Sequence, residues 1–368
     1  MKSIASAPGK IILFGEHFVV HGTKAILAAI DKRVTVTTTI TEASYTDGGH
    51  GNQRSNSTLK INSQLGTFEI PMYSYYGDIT KDGINVQWLG SEARSGSKFF
   101  ATNQICSSIK SEFMPFVYLV AKLSHMTDGG NMVTEPMLHP NGLEITIDSD
   151  IPIGVGLGSS SACCVAAAAS ISELFNELSS EEILKMSIEA EKTIFPDTSG
   201  ADCTVCTYGG MIGYPSIEKI DNTFDLNLLI ANSMIPHNTK NSVEKVNKFK
   251  ENDEERFSQL CDLETKLIDE VVTAMKNNDV TAFGLKMSEN QKHLEEIQIS
   301  NDTLRDMISS LKEISLGTKI TGAGDGGCII ALVKDENMDK VPALLPNDKE
   351  YFSAKIDTKG VVWSTIEE

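Results

Sequence analysis

Apolar and polar side chains along the chain follow two different periods, and these periods together predict both strands and helices. Residues 31–40 alternate apolar and polar positions and are rich in β-branched side chains, which predicts a strand. Residues 11–14 form a short apolar run that favours a further strand, and residues 142–147 predict another. Residues 244–277 and 280–297 instead place apolar side chains at helical spacing. The pattern therefore predicts a chain that contains both strands and helices.

The remaining segments carry weaker signals. Residues 99–123 predict a helix that Pro115 interrupts, and residues 335–346 predict a short helix. Residues 45–57 and 73–97 follow neither period and are predicted to be mostly loop. Further strands are predicted at 59–61, 67–70, 224–231, 350–357 and 360–366.

Composition narrows the class of protein. The 368 residues, 40% hydrophobic and 22% charged, indicate a globular protein of about two domains. The net charge of −18 disfavours nucleic-acid and anionic-membrane partners. We expect no signal peptide and no membrane span, and the seven scattered cysteines are typical of a reducing, cytoplasmic setting. Cys203 and Cys206 form a C-x-x-C, interpreted as half-buried residues at a strand entrance rather than as a redox or zinc motif.

The glycine-rich stretch 152–162, PIGVGLGSSSA, carries the clearest chemical signal. Gly154, Gly156 and Gly158 alternate, three serines follow, and small apolar residues then predict a helix. Glycine lets a backbone approach an anion closely, and the first turn of a helix offers unpaired N–H groups. The stretch therefore predicts a phosphate cradle. It has neither the Gly-Lys-Ser/Thr ending of a P-loop nor the glycine spacing of a dinucleotide-binding loop.

Three polar side chains flank the strand predicted at 11–14. Lys10 precedes the strand, and Glu16 and His17 follow it. They are either solvated groups beside a turn or parts of a site that face a ligand. His17 and His21 have the i, i+4 spacing of zinc ligands on a helix, but a third ligand and a helical context are missing.

Two acidic residues, Glu191 and Asp202, lie eleven positions apart around a predicted turn. Ser179 and Glu182 form a capping-box pattern, which predicts the start of a helix that carries Glu191. The turn could bring the two carboxylates to one site. A plain helix exit followed by a hairpin fits the same residues.

Residues 319–332, KITGAGDGGCIIAL, predict a strand, a glycine-rich turn and an apolar strand. Taken alone, such a glycine run could indicate a dinucleotide-dependent oxidoreductase. That interpretation fails because no helix follows the glycines and no acidic residue ends a second strand about twenty positions further on. Asp325 places an extra negative charge in this turn.

Three stretches together resemble the motifs of the GHMP family of small-molecule kinases. Residues 6–17 resemble the first motif, residues 152–162 the second motif P-x-G-x-G-L-G-S-S-A, and residues 319–332 the third. The resemblance covers the chain from Ser6 to Val333.

Within that family, the string GEHFVVHG at 15–22 and the spacing of Glu191 and Asp202 are similar to the mevalonate kinase group. The chain departs from the usual pattern at a few positions. These are Ser161 for alanine, Phe195-Pro196 for His-Gly, Thr198 for proline and Asp325 for a common glycine.

The resemblance implies an α+β fold with two domains. These are an N-terminal domain like domain 2 of ribosomal protein S5, at 1–221, and a ferredoxin-like C-terminal domain, at 222–368, with the site between them. The resemblance leaves open whether the last strand returns to the N-terminal domain and whether the chain forms a homodimer. Two other functions also stay open, namely another GHMP activity (phosphomevalonate kinase, homoserine kinase or a mevalonate-pathway decarboxylase) and a non-catalytic ligand sensor. A sensor would be expected to lose Lys10, Glu191 or Asp202, and all three are present.

The resemblance also implies ATP and Mg²⁺ as cofactors and mevalonate, phosphorylated on its 5-hydroxyl, as the small-molecule substrate. Glu191 with Ser160, or otherwise Ser159, would hold Mg²⁺ through oxygen ligands. Asp202 would accept or orient the acceptor hydroxyl, and Lys10 would steady that carboxylate and the moving charge. The nucleotide would be bound by Pro152, Gly154, Gly156, Leu157, Gly158, Ser159, Ser160 and Ser161. The substrate would be contacted by Glu16, His17, Gly322, Ala323 and Gly324.

Overall fold

The computed structural model of the chain contains two main sheets with helices packed against them, which confirms the α+β prediction. None of its helices combines the length and the apolar character needed to cross a membrane, within the described residues. The described residues are 1–42, 45–47, 53–55, 58–71, 76–80, 83–87, 110–123, 141–175, 177–220, 226–236, 239–346 and 348–366.

The larger sheet is built on its two longest strands, β1 (Lys2–Phe14) and β2 (Ala25–Thr41), which pair antiparallel. The predicted strands at 11–14 and 31–40 are thus parts of longer ones. The sheet also contains β5 (Thr58–Ser63), β6 (Gly66–Pro71), β9 (Gly142–Ser149), β10 (Met211–Tyr214), β11 (Glu218–Ile220) and β16 (Val362–Ile366). Its order is β11-β10-β2-β9-β5-β6, and β1 pairs with both β2 and β16.

Four short strands lie within the segments 45–57 and 73–97, and the loop prediction is wrong for those residues. β3 (Tyr45–Asp47) pairs with β4 (Gln53–Ser55), and β7 (Tyr76–Thr80) pairs with β8 (Gly83–Gln87). Strands of three to five residues are too short for alternation to stand out from a polar sequence. The rest of both segments, and the start of the helix predicted from 99, lie outside the described residues.

Four helices in the first part of the chain are α1 (Met114–Leu123), α2 (Ser159–Ser172), α3 (Ser180–Glu191) and α4 (Ala201–Tyr208). The central one is α2, which contacts β1, β2, α3 and α4. Its residues 166–169 are four buried alanines, and these small side chains let the helix lie close to the sheet. The glycine-rich stretch therefore runs into a helix anchored on several sides.

The smaller sheet has the order β13-β14-β12-β15, with every pairing antiparallel. Its strands are β12 (Leu228–Asn232), β13 (Ser315–Ile320), β14 (Cys328–Val333) and β15 (Glu350–Ala354). The later helices are α5 (Thr239–Asn252), α6 (Glu254–Lys276), α7 (Val280–Glu296), α8 (Asp302–Leu311) and α9 (Val341–Leu344). The chain crosses back to the larger sheet after β15, since β16 pairs with β1. The domain boundary at 221 stays a prediction.

Several helix predictions need correction. Residues 244–277 form parts of two helices, because Asp253 caps the start of α6 with its side chain on the Arg256 N–H. Pro115 lies in the first turn of α1, where proline is tolerated, instead of interrupting a longer helix. Helix α8 was not predicted.

The C-x-x-C also differs from its interpretation as a strand entrance. Cys203 and Cys206 are free thiols within α4 and are fully buried. Burial raises the pKa of both thiols well above the ordinary value, which opposes thiolate chemistry.

Candidate active site

Lys10 connects the first motif with the glycine-rich stretch. Its backbone N–H donates to the Leu157 carbonyl at 2.9 Å, and its side-chain stem lies over Gly158. A Cβ added at Gly158 would lie 2.6 Å from the Lys10 Cγ, and Gly158 has φ of +74°. Glycine is required there both for space and for backbone conformation. The strand thus delivers the Lys10 ammonium to the cradle.

The Lys10 ammonium pairs with the Asp202 carboxylate. Nζ lies 3.0 Å from Oδ2, and the lysine side chain is 7% exposed against 37% for the aspartate. Asp202 lies in the first turn of α4, where the N-cap is Gly200 and no side chain makes a capping bond. Asp202 therefore faces a cation and open space, and it does not serve as a cap for its own helix.

The cradle has the conformation that its sequence predicts. Gly154, Gly156 and Gly158 all have positive φ, and α2 begins directly afterwards at Ser159. The first-turn N–H groups of a helix have no intrahelical partner and attract negative charge. Nothing lies within 4 Å of a Cβ built on Gly154, so this side of the loop is open. The geometry suits an anion such as a phosphate.

Glu191, at the end of α3, is a buried carboxylate held by two hydroxyls. Its side chain is only 3% exposed. Ser161 Oγ donates to Oε1, and Thr198 Oγ1 donates to Oε2 at 2.6 Å. Within the described residues no lysine, arginine or histidine pairs with it. A buried carboxylate without a cation favours binding one, and its oxygens suit a hard ion such as Mg²⁺.

The serine beside Glu191 differs from the one that the sequence predicted. Successive residues of a helix point about 100° apart. Ser161 therefore points inward to Glu191, whereas Ser160 is exposed and Ser159 is half-buried. The metal-binding role of Ser160 stays a prediction, and the Ser161 hydroxyl is directed to Glu191 instead of outward to a nucleotide.

The first and third motifs are joined directly. Thr321 Oγ1 accepts from the Ile12 N–H at 3.0 Å and donates to the Ile12 carbonyl at 2.9 Å. The His17 ring donates through Nε2 to the Ala323 carbonyl at 2.8 Å. These bonds place the glycine-rich loop after β13 against the end of β1. Gly322 and Ala323 remain partly exposed, whereas Gly324 is buried against Ile299.

Glu16 and Lys319 form an ion pair with no exposed surface. Lys319 Nζ donates to Glu16 Oε1 and to the Ile320 carbonyl, the latter at 2.6 Å. Burial raises the pKa of Glu16 and lowers that of Lys319. The sequence predicted that Glu16 contacts the substrate. The structure instead places its carboxylate in the interior, where it links β1 to β13.

Two family models and several known proteins match this chain. Models of the GHMP kinases N terminal domain and of the GHMP kinases C terminal region match residues 118–210 and 271–342. A mevalonate kinase of Thermococcus sibiricus is 30% identical over 94% of this chain and 93% of its own length. The chain belongs to the GHMP kinase family. The resemblance described from the motifs is thereby confirmed.

Solved GHMP kinase structures are similar over nearly the whole chain. The mevalonate kinase of Methanococcus jannaschii gives a TM-score of 0.73 at 26% identity, covering 96% of this chain and 98% of that one. The L. major mevalonate kinase, solved in complex with R-mevalonate, gives a TM-score of 0.71 at 21% identity, covering 96% and 95%. At 21% identity, the similarity to the L. major protein shows only a shared fold.

The third-motif loop of this GHMP kinase carries a bond that the sequence did not predict. Asp325 has φ of +57°, a backbone conformation that residues other than glycine adopt at a cost. Its backbone N–H donates to the Ile299 carbonyl at 2.7 Å, and its carboxylate pairs with Lys245 of α5 at 2.6 Å. The extra negative charge in this loop is therefore balanced by Lys245.

His17 gives this kinase a testable dependence of stability on pH. Burial lowers the pKa of His17 below its ordinary 6.5, so the unfolded chain binds a proton more readily than the folded chain. The free energy of unfolding should therefore fall as the pH drops from about 7 through the lowered pKa of His17 in the folded protein. Urea unfolding at several pH values measures it. His17→Gln keeps an N–H donor without titrating and should give a flatter profile, and equal profiles would contradict the assignment.

Proposed function

We propose that this GHMP kinase is a mevalonate kinase, which transfers the γ-phosphate of ATP to the 5-hydroxyl of (R)-mevalonate. The observation that carries the proposal is the Lys10–Asp202 pair directly beside the glycine cradle. In this proposal Asp202 would supply a base, and Lys10 a cation, beside the phosphates that the cradle binds. Relatives about 30% identical over nearly the whole chain carry the name mevalonate kinase, which supports this choice of acceptor.

The nucleotide would lie across the cradle and into a neighbouring cavity. Backbone N–H groups at the start of α2 would bind the phosphates. A cavity of about 160 Å³ adjoins Gly154, Ser159 and Ser160, and its other lining is mostly apolar. Such a lining suits the faces of a nucleobase. Neither Lys10 nor Asp202 lines it, so the base and the reacting groups would occupy separate parts of the site.

Mg²⁺ fits the donor set at Glu191. The buried carboxylate, with Ser160 or otherwise Ser159, would hold the ion together with the phosphates of the nucleotide. When bound, the ion neutralises charge on the β- and γ-phosphates. Glu191 and Ser160, or otherwise Ser159, would supply the oxygen ligands for the ion.

Asp202 acts on the acceptor hydroxyl. As the hydroxyl oxygen forms its bond to the γ-phosphorus, the bond from that phosphorus to the β–γ bridging oxygen breaks and ADP leaves. The hydroxyl proton passes to the Asp202 carboxylate and from there to water. Lys10 orients the carboxylate through its ion pair and offsets negative charge on the transferring group.

The third-motif loop would complete the acceptor side. Gly322 and Ala323 are the partly exposed residues of that loop and would approach the substrate with their backbone. His17 would act by holding Ala323 through its ring. Glu16 would act indirectly, through Lys319. Cytoplasmic location and a homodimer stay predictions.

The acceptor is tested by measuring ADP release with mevalonate, phosphomevalonate, homoserine and galactose separately. We expect turnover with mevalonate and little with the others. Turnover with a different acceptor only would contradict the mevalonate assignment while leaving the family intact. Nucleotide binding without turnover of any acceptor would instead indicate a ligand sensor.

A further inference from the structure

We propose that Ser161 and Thr198 are positioning residues that together fix both oxygens of Glu191 for a divalent cation. The proposal rests on the metal-binding role proposed for Glu191. It assigns to this chain a two-hydroxyl clamp, defined as the hydrogen bonds from Ser161 and Thr198 to the Glu191 carboxylate.

The clamp reaches the carboxylate from two different elements. Ser161 lies in the first turn of α2, and its hydroxyl donates to Oε1. Thr198 lies in the turn between α3 and α4, and its hydroxyl donates to Oε2 at 2.6 Å. Because each oxygen has its own donor, the carboxylate plane cannot rotate without breaking one bond.

The donors are neutral, and this matters for a metal ligand. A lysine or arginine at the same place would cancel the charge of Glu191 and compete with a cation. A hydroxyl satisfies one lone pair of an oxygen and leaves the negative charge on the carboxylate. With the group only 3% exposed, that charge is poorly compensated by water. The clamp therefore orients Glu191 and preserves its attraction for a cation.

Thr198 also connects the clamp to α4, the helix that carries Asp202. Its Oγ1 accepts from the Gly200 N–H at 3.3 Å, and its own N–H donates to the Phe195 carbonyl at 3.0 Å. Gly200 is the N-cap of α4, which carries Asp202 two residues later. One threonine thus fixes the path of the chain between the proposed metal ligand and the proposed base.

Both clamp residues are departures from the motif pattern that the chain resembles, which has alanine at 161 and proline at 198. Neither of those side chains can donate a hydrogen bond. The motif pattern therefore does not itself predict the clamp, which the structure shows through the two hydrogen bonds to Glu191.

The experiment compares Ser161→Ala, Thr198→Val and Thr198→Ser with the wild type and with Glu191→Gln. Mn²⁺ is titrated into each protein in the presence of ADP, and free Mn²⁺ is followed by electron paramagnetic resonance. Calorimetry of ADP binding in EDTA measures the affinity for the nucleotide without metal. Thermal unfolding reports whether each variant folds.

Loss of groups that orient a metal ligand typically costs 10–100-fold in metal affinity. We expect Ser161→Ala and Thr198→Val each to weaken Mn²⁺ binding by about 10-fold or more, with ADP binding in EDTA little changed. Thr198→Ser keeps the hydroxyl and should bind Mn²⁺ nearly as the wild type does. A merely structural role would lower the melting temperature of the variants without this selective loss of Mn²⁺.

Each other outcome overturns the proposal at a different level. If Glu191→Gln weakens Mn²⁺ binding but neither hydroxyl variant does, or only one does, the two-point clamp is wrong and the role of Glu191 stands. If Glu191→Gln also binds Mn²⁺ normally, the metal role of Glu191 is wrong and the clamp fails with it. Tighter Mn²⁺ binding in the hydroxyl variants would show that the hydroxyls compete with the metal.

Discussion

Asp202→Asn is expected to lower kcat by roughly 10²–10⁴-fold, the usual cost of losing a positioned acid or base. Asparagine is nearly isosteric but cannot take the hydroxyl proton, and it removes the charge that pairs with Lys10. The cradle does not depend on this carboxylate, so ATP binding measured by calorimetry should change little. Steady-state kinetics with ATP and mevalonate measure the effect.

A structural role for Asp202 gives the opposite result. If the side chain only stabilised the turn after Gly200, asparagine would replace it, because asparagine forms the same local hydrogen bonds. The Asp202 carboxylate pairs with Lys10, and the N-cap of α4 has no side-chain capping bond. Turnover within a few-fold of the wild type would therefore remove Asp202 from the mechanism.

Lys319→Met is expected to destabilise the fold by about 3–5 kcal/mol, the usual cost of removing one partner of a buried ion pair. The variant leaves the Glu16 carboxylate without its cation. Because neither side chain of the wild-type pair has exposed surface, water cannot replace that cation. One oxygen, Glu16 Oε2, already has no hydrogen-bond partner within the described residues. Urea unfolding at pH 7 measures the change.

The matched control is the double variant Glu16→Gln with Lys319→Met. It removes both charges, and replacing a buried ion pair by neutral groups is often close to neutral for stability. We expect the double variant to regain most of the loss. A Lys319→Met protein as stable as the wild type would contradict the buried pair. A stable double variant with a greatly raised KM for mevalonate would show that the pair supports substrate binding in addition to the fold.

The sequence predicted those parts of the site that lie within single motifs. Gly154, Gly156 and Gly158 are followed by serines and a run of small residues, so the cradle and α2 could be read directly. The helix that carries Glu191 could also be predicted, because Ser179 and Glu182 mark its start. Their capping box is present in the structure.

Pairings between distant residues could not be predicted in the same way. Lys319 lies 303 positions from Glu16, and no local pattern connects them. A lysine within an apolar strand was the available signal, since a buried charge requires a partner. The inward direction of Ser161 depends on the rotation of α2 against its neighbours, which a run of three serines does not reveal.

Local signals also competed with one another. Asn301 begins an Asn-x-Thr sequence, which matches a glycosylation pattern, but its side chain accepts from the Leu304 N–H and caps α8. Asp253 capped α6 inside a run whose helical spacing continued through it. In both cases a single capping residue determined the boundary, and periodicity averaged over many residues did not show it.

The most direct test of the account is a phosphorus NMR spectrum of the reaction of (R)-mevalonate with ATP, Mg²⁺ and the protein. We predict a new phosphomonoester signal coupled to the C5 methylene protons of mevalonate, growing in step with ADP and absent with Asp202→Asn on the same timescale. Release of inorganic phosphate without a monoester, or a monoester on another oxygen of mevalonate, would contradict it.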